Sequence, residues 1–236
     1  MNPFDFSILS ALNQLSQRSA RLDKLVDLLF GNALLAGGFL TALIWWAWFR
    51  NRETAQRDRE FAASGIVLAA AAVFVARLIA LFCPYRLRPR YVDALHFRLP
   101  TGSTNYEMFN WSSFPSDHAV LFFCLATILF FISRRAGALA LLHAFLVGCL
   151  TRIYLGIHYP TDILAGILIG VGFASLSLQS GIRRGLARPA LRWMEVSPRS
   201  FYPSLSLCLL LVATQFDPLR EILVDVWRAA RSIAHS

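Results

Sequence analysis

His158 and Asp162 lie four residues apart, and Arg152 precedes them in the same polar segment. If a helix begins near Tyr159, this spacing lets the Asp162 carboxylate accept a hydrogen bond from one imidazole nitrogen of His158. The other nitrogen then keeps its lone pair, and an imidazole with a pKa of about 6.5 is largely neutral at physiological pH. The spacing therefore predicts His158 as a nucleophile and Asp162 as the residue that orients it.

A second polar segment, Pro115-Ser116-Asp117-His118, stands immediately before an apolar block. Serine is a favoured helix N-cap residue, and the first turn of a helix offers free backbone amides and a positive dipole end to an anion. His118 falls in that first turn, from which it can protonate a leaving oxygen as a general acid. The segment is thus predicted to bind an anion and to supply a proton.

Arg88 and Arg152 are the candidate cations for that anion. Guanidinium groups stay charged at any working pH and can bind two phosphate oxygens at once, which suits them to a phosphoryl group better than lysine. Phosphoryl transfer spreads negative charge over the equatorial oxygens, and fixed cations and amide donors stabilise that charge. These residue types favour phosphoryl transfer through a histidine.

The ordered set Arg-Pro, then Pro-Ser-x-His, then Arg-x5-His-x3-Asp resembles the three-part signature of the type 2 phosphatidic acid phosphatase superfamily. The resemblance is strong from about residue 77 to residue 162 and loose in the surrounding helices. It implies that His158 forms a phosphohistidine, that Asp162 orients it and that His118 is the acid. It also implies that no metal ion or other cofactor is required. The residues that it implies hold the phosphate are Arg88, Ser116, Asp117 through its backbone amide, and Arg152.

One departure from the family pattern concerns the first motif. The family usually has a lysine seven residues before the arginine of Arg88-Pro89, and Leu81 stands there in this chain. Arg77 lies one helical turn earlier on the same face, and Arg86 lies on the other side of that position. Either arginine could reach the phosphate in place of the lysine, so both are candidate phosphate-binding residues.

The other departure is Asp117, where many members have glycine. An aspartate at a helix N-terminus favours the helix dipole if its side chain turns away from the phosphate. The sequence Ser116-Asp117-His118 resembles the version found in bacterial undecaprenyl diphosphatases. We therefore interpret Asp117 as a subfamily marker.

The rest of the chain must position these groups, and its composition indicates a membrane protein. Hydrophobic residues make up 56% of the 236 residues, charged residues only 16%, and the apolar residues gather in long blocks. The net charge of +9 comes from arginines that lie between these blocks, where they meet lipid headgroups, and not on one soluble face. Membrane lipids are thus expected partners and nucleic acid is not. We expect a single membrane domain over residues 1–236.

Six apolar blocks are candidate transmembrane helices, at about residues 32–49, 61–82, 116–132, 136–153, 163–182 and 201–216. A helix needs about 20 residues to cross a hydrocarbon core of about 30 Å, so the third and sixth blocks are short. Residues 1–30 and 219–233 have apolar positions at helical spacing, which predicts interfacial amphipathic helices. The predicted fold is an all-α integral membrane bundle of about six transmembrane helices with an interfacial helix at each terminus.

Counting crossings places the loop after the second block and the loop after the fourth on one side of the membrane, so the motifs meet there. These two loops contain fewer basic residues than the loops on the opposite side. The basic residues of the motif loops are Arg86, Arg88, Arg90, Arg98 and Arg152; those of the opposite loops are Arg50, Arg52, Arg57, Arg59, Arg134, Arg135, Arg183, Arg184, Arg188, Arg192 and Arg199. The positive-inside rule then predicts a site on the non-cytoplasmic side, and we expect a bacterial inner (plasma) membrane.

The resemblance implies hydrolysis of a lipid phosphate or diphosphate. Undecaprenyl diphosphate is the first candidate substrate, and phosphatidate or phosphatidylglycerophosphate is the second. A lipid transporter that keeps the motifs without turnover is an alternative from a different functional class, and Arg77 within an apolar span would suit it.

Overall fold

The computed structural model describes residues 2–50, 53–103 and 111–214, and every regular element in these ranges is a helix. The N-terminal part contains α1 (Pro3–Asn13), α2 (Ala20–Gly31), a π-helical turn (Leu34–Gly38) and α3 (Phe39–Phe49). The central part contains α4 (Ala55–Phe82), α5 (Asp117–Ile132), α6 (Arg134–His143), a π-helical stretch (Ala144–Leu150) and α7 (Thr151–Tyr154). The last part contains α8 (Pro160–Leu176), α9 (Ser180–Val196) and α10 (Pro198–Ala213).

The membrane-spanning character rests on the length and apolarity of these helices. Two helices are each long and apolar enough to cross a membrane, Ala55–Phe82 and Arg134–Tyr154. Two bent pairs meet the same criterion when taken together: α2 with Leu34–Phe49, bent by 72°, and α8 with α9, bent by 84°. α5 and α10 have 16 residues each, as the short third and sixth blocks predicted. The described residues therefore form an all-helical membrane protein with two to four candidate spans of full length, and each of the six predicted apolar blocks is largely helical where it is described.

The fifth predicted span and the basic segment after it differ from expectation. α8 ends at Leu176 and not at the predicted Ile182, and the NH1 of Arg183 donates to the carbonyl of Ser177 just past this end (3.0 Å). The basic segment at 183–199, expected to be a loop, lies mostly in α9. α9 is an amphipathic helix, because its apolar residues pack towards α4 while most of its arginines are exposed.

The predicted N-terminal amphipathic helix is two helices. Asn2 caps α1 by accepting from the backbone N–H of Asp5 (2.7 Å), and Ser19 caps α2. The chain turns between them through Gln17, which has a positive φ of 66°. Each helix buries an aspartate as well as apolar residues, Asp5 in α1 and Asp23 in α2. The predicted interfacial helix at 219–233 lies outside the described residues.

The two helices that follow the second and third motifs pack in direct backbone contact. At Gly166 of α8 a Cβ would lie 2.6 Å from the carbonyl oxygen of Ser116, and at Gly170 it would lie 2.4 Å from that of Val120. Any larger side chain would therefore push α8 away from α5. Small residues at such contacts are the usual means by which membrane helices approach closely. The two glycines thus fix the distance between the N-terminal ends of α5 and α8, which carry the second and third motifs.

Candidate active site

The first turns of α5 and α8 bring the predicted motifs together. The backbone N–H of Ser116, at the N-cap of α5, donates to the carbonyl of Asp162 in the first turn of α8 (3.2 Å). The N–H of Arg90 donates to the carbonyl of Gly156 (3.0 Å), which joins the first motif to the loop between α7 and α8. All three motifs therefore converge at one end of the bundle.

His158 lies in the loop before α8 and is 5% exposed. Its Nδ1 is 2.7 Å from the carbonyl oxygen of Ser113, and since a carbonyl only accepts, Nδ1 carries the proton and Nε2 the lone pair. The NH1 of Arg88 lies 3.4 Å from that Nε2. Burial lowers the pKa of His158 to about 4, an effect that Asp162 opposes and that nearby arginines strengthen. The imidazole is therefore neutral at neutral pH, with its unprotonated Nε2 facing the guanidinium group of Arg88.

Asp162 is connected to His158 by a different route from the predicted direct hydrogen bond. Its Oδ2 is 3.8 Å from the Nδ1 of His158, too far for a hydrogen bond, because Nδ1 is bonded to the Ser113 carbonyl. Oδ2 instead accepts from the hydroxyl of Ser113 (2.7 Å) and from the N–H of Tyr159 (2.8 Å). Asp162 thus holds Ser113, and the carbonyl of Ser113 holds His158.

Arg88 and Arg152 are both buried and held by backbone carbonyls. The NH1 of Arg88 donates to the carbonyl of Ile157 (2.9 Å), and burial lowers the pKa of its guanidinium. The NH1 of Arg152 donates to the carbonyls of Val147 (3.2 Å) and Gly148 (3.0 Å) in the π-helical stretch. A π-helical stretch frees carbonyls from the regular ladder, and here they fix a cation.

The Nε of Arg88 and the Oγ of Ser116 are buried polar atoms of the motifs that have no hydrogen-bond partner among the described residues. Ser116 occupies the predicted N-cap position, but its side chain does not cap α5. An unsatisfied buried polar group costs about 1–3 kcal/mol. An anion that accepts from both atoms would remove that cost, which fits the predicted phosphate-binding role of these residues.

Arg86 and Arg77, the two candidates for the family's lysine, lie in different surroundings. The NH1 of Arg86 donates to Asp162 Oδ1 (2.5 Å) and its NH2 to Asp5 Oδ2 (2.7 Å). Arg77 forms an ion pair with Asp117 and lies over the ring of Trp111.

Leu81, which occupies the lysine's position, is 78% exposed. Both bonded nitrogens of Arg86 face carboxylates, so Arg77 is the better placed of the two arginines to meet a phosphate. The Asp117 carboxylate is directed to Arg77, which accounts for an acidic residue beside a phosphate site.

His118 stands in the first turn of α5, as predicted, and is half-buried with its ring edge-on to Phe122. It is close enough to Arg88, Arg152 and His158 for their charges to act on its imidazole. The second histidine of the motifs therefore belongs to the same electrostatic environment as the first. The role of His118 as a proton donor stays a prediction.

Three residues that contact the predicted site residues or their partners were not predicted from the sequence. Ser113 contacts His158 through its backbone carbonyl, which leaves no signature in residue types. Asp5 and Thr161 are linked across most of the chain: the N–H of Thr161 donates to Asp5 Oδ1 (2.9 Å) and its hydroxyl to Asp5 Oδ2 (2.8 Å). The available signal for Asp5 was an acidic residue within an otherwise apolar stretch of α1.

Comparison with known proteins places the chain in a family. The model of the PAP2 superfamily matches residues 61–185, more than half of the chain. The bacitracin transport permease protein BcrC of Bacillus licheniformis is 48% identical over 60 residues, which are 25% of this chain and 29% of that relative. The undecaprenyl-diphosphatase BcrC of Bacillus subtilis (strain 168) is 25% identical over 167 residues, which are 71% of this chain and 79% of that relative.

A solved structure also resembles the fold. It is the first transmembrane PAP2 type phosphatidylglycerolphosphate phosphatase from Bacillus subtilis, with 20% identity and a TM-score of 0.49 over 75% of this chain and 84% of that chain. The matched family region, residues 61–185, contains all three motifs and the helix starts that carry them. The chain therefore belongs to the PAP2 superfamily, as an integral membrane protein of that phosphatase family.

Proposed function

We propose that this protein is a lipid phosphatase that works through a phosphohistidine on His158 and uses no metal ion. The observation that carries the proposal is the state of His158: its Nδ1 is fixed on the Ser113 carbonyl, and its Nε2 lone pair lies 3.4 Å from the NH1 of Arg88. A phosphate bound by that arginine would lie next to the nucleophilic nitrogen. Positioning of this kind supplies much of the rate enhancement in phosphoryl transfer.

The first step breaks the bond between phosphorus and the leaving oxygen. The Nε2 of His158 attacks phosphorus and forms the P–N bond, while His118 gives its proton to the departing oxygen. Arg88 and Arg152 compensate the charge on the equatorial oxygens, together with Ser116 and the first amides of α5. The products of this step are the dephosphorylated alcohol, or the monophosphate if the substrate is a diphosphate, and the phosphohistidine.

The second step returns the enzyme to its starting state. His118, now neutral, takes a proton from a water molecule as that water attacks the phosphohistidine. The P–N bond breaks, inorganic phosphate leaves, and His158 recovers its Nε2 lone pair. Asp162 keeps the Nδ1 proton in place in both steps by holding Ser113.

Undecaprenyl diphosphate is the proposed substrate. The protein would hydrolyse it on the non-cytoplasmic side of a bacterial inner membrane. The Ser116-Asp117-His118 sequence and the similarity to the undecaprenyl-diphosphatase of Bacillus subtilis support this choice over phosphatidate or phosphatidylglycerophosphate. Arg77 adds support, since a partly exposed arginine next to the site can meet the second phosphate of a diphosphate.

The test is phosphate release by the purified protein from a panel of undecaprenyl diphosphate, phosphatidate and phosphatidylglycerophosphate, with a chelator present. We expect release that is fastest from the diphosphate, unaffected by the chelator and abolished in His158→Asn. No release from any of the three lipids would reject the enzyme. Loss of release with chelator alone would reject the metal-free mechanism. Substrate translocation that persists in His158→Asn would favour the transporter alternative.

A further inference from the structure

Asp5 is a buried charge in a helix that was predicted to lie only at the membrane interface. Its side chain is 0% exposed, although it is the fifth residue of the chain. Burying a carboxylate is costly unless it is paired and fully hydrogen-bonded. The Asp5 carboxylate accepts from the side-chain amide of Asn2 (3.1 Å), and its more distant partners in the sequence are Arg86 of the first motif loop and Thr161 of the third motif.

A continuous set of contacts leads from Asp5 to the proposed nucleophile. Asp5 Oδ2 accepts from the NH2 of Arg86 (2.7 Å), and the NH1 of the same guanidinium donates to Asp162 Oδ1 (2.5 Å). The other oxygen of Asp162 accepts from the hydroxyl of Ser113 (2.7 Å), whose carbonyl accepts from His158 Nδ1 (2.7 Å). Each link joins a different segment of the chain, so α1 is bonded to the site through side chains.

The geometry indicates how Asp5 constrains Asp162. Arg86 is held between two carboxylates that are each 0% exposed, and its guanidinium lies 3.9 Å from the centre of the Tyr159 ring. With its NH2 bound to Asp5, the guanidinium keeps NH1 on Asp162 Oδ1. The Oδ2 of Asp162 is then left for Ser113 and for the N–H of Tyr159.

Asp5 also constrains the start of α8. Its two oxygens accept from the N–H and the hydroxyl of Thr161, the residue before Asp162. The first turn of α8 is thereby held from the side of α1 as well as from the side of Arg86. Asp162 is fixed through its neighbour in sequence and through its ion-pair partner at once.

We propose that Asp5 is a positioning residue for the reaction of His158, and that α1 is part of the catalytic structure in addition to its predicted place at the interface. The inference rests on the proposed function, because it requires His158 to be the nucleophile. Loss of Asp5 would leave Arg86 free to turn, loosen Asp162 and Ser113, and let the imidazole leave its attacking position. A misplacement of about 1 Å can cost about 100-fold in rate.

A double-mutant cycle on Asp5 and Arg86 tests this inference in the full-length purified protein, with undecaprenyl diphosphate as substrate. Asp5→Asn should lower kcat by roughly 10-fold or more and change KM by less than about twofold, because Asp5 does not contact the phosphate. If Asp5 acts through Arg86, Asp5→Asn should have almost no further effect on kcat when added to Arg86→Gln. Asp5→Glu, which keeps the charge, should recover part of the loss.

The matched control is Asp58→Asn. Asp58 is also a buried carboxylate with an arginine partner, but it lies near the start of α4, where it contacts Arg50 (3.7 Å) and Thr54 (2.8 Å). kcat per folded protein should equal that of wild type in this variant. Thr161→Val is a milder second variant. It removes the hydroxyl that donates to Asp5 Oδ2 (2.8 Å) and accepts from the NH1 of Arg86 (2.9 Å), keeps every charge and should lower kcat by roughly fivefold at most.

The outcomes separate this inference from the proposed function. If wild type is active and His158→Asn is not, but Asp5→Asn and Thr161→Val both match Asp58→Asn in kcat per folded protein, the positioning role is wrong and the proposed function stands. Multiplicative losses in the double variant would likewise contradict action through Arg86. If wild type releases no phosphate, or His158→Asn retains activity, the proposed function fails and the positioning inference fails with it.

Discussion

Arg86 and Arg77 both lie near Leu81, which occupies the position of the family's lysine, but their surroundings differ. Arg86 is 29% exposed and is bound by two carboxylates, Asp5 and Asp162, that are each 0% exposed. Arg77 is 39% exposed, and among the described residues its carboxylate partner is Asp117, which is itself 20% exposed. If a cation between two buried anions moves away, both anions stay buried without a compensating charge, which is strongly unfavourable. A cation paired at the protein surface can exchange its partner at small cost.

This difference assigns the two arginines to different tasks. Arg86 is part of the framework that holds Asp162, and we propose that Arg77 turns from Asp117 to a substrate phosphate. The number and burial of an arginine's partners, and not its distance along the sequence from a motif, decide whether it serves structure or binding. Four experiments test this distinction.

Arg86→Gln should have the largest effect. It leaves Asp5 and Asp162 buried without their shared cation, which should lower the free energy of unfolding by about 2–3 kcal/mol, less than the 3–5 kcal/mol of a fully buried pair because Arg86 is 29% exposed. We also expect kcat to fall by about 100-fold. Denaturant unfolding and phosphate release per folded protein measure both. Wild-type stability in this variant would show that Arg86 is not a framework residue.

The stability of the folded protein at low pH should report the burial of His158, which is connected to Arg86 through Asp162 and Ser113. The pKa of His158 is about 4 in the folded protein, against about 6.5 in an unfolded chain. Between these values the unfolded state binds more protons, so the folded state loses stability as the pH falls through this window. His158→Asn cannot bind that proton and should lose less. Parallel melting temperatures from pH 7 to pH 4 in the two proteins would contradict this burial.

Arg77→Gln should affect binding and hardly affect stability. Loss of a partly exposed ion pair should change the free energy of unfolding by less than about 1 kcal/mol. Loss of a charge-assisted hydrogen bond to phosphate should raise KM for undecaprenyl diphosphate by about 10-fold, with a smaller effect on kcat. Steady-state kinetics with a diphosphate and a monophosphate lipid measure this. A 100-fold loss of kcat with unchanged KM would place Arg77 in the framework with Arg86.

Asp117→Asn should have the smallest effect and the opposite sign. Without the carboxylate, Arg77 no longer exchanges partners when substrate binds, so KM should fall by about two- to threefold, in line with the strength of a surface ion pair. The same kinetic measurement detects it. A rise in KM would indicate that Asp117 itself helps to bind the substrate and does not compete with it.

The spacing of the motifs was enough to predict which residues gather at the site. Arg88, Arg152, Ser116, His118 and His158 are all brought to one end of the bundle, as their places at helix starts and in two loops on one side predicted. These positions follow from local rules on helix caps, apolar block length and crossing number. The same rules correctly predicted a helical membrane fold.

The contacts between these residues could not be predicted from spacing. The partner of His158 is a backbone carbonyl, that of Ser113, which any residue type could have supplied. The partner of Arg86 lies 81 residues away in α1, and no pattern within one helix indicates such a contact. The amphipathic helix at 180–196 was missed for a related reason: its arginines suggested a polar loop, while its apolar face depends on packing against α4.

The most direct test of the central claim is to trap the phosphorylated enzyme. Undecaprenyl diphosphate labelled in its terminal phosphate is mixed with the purified protein, the reaction is stopped in alkali within milliseconds, and the labelled peptide is identified by mass spectrometry. The mechanism predicts an acid-labile, alkali-stable phosphoryl group on His158 in wild type and none in His158→Asn. Turnover without any phosphoenzyme, or a phosphoryl group on another residue, would contradict it.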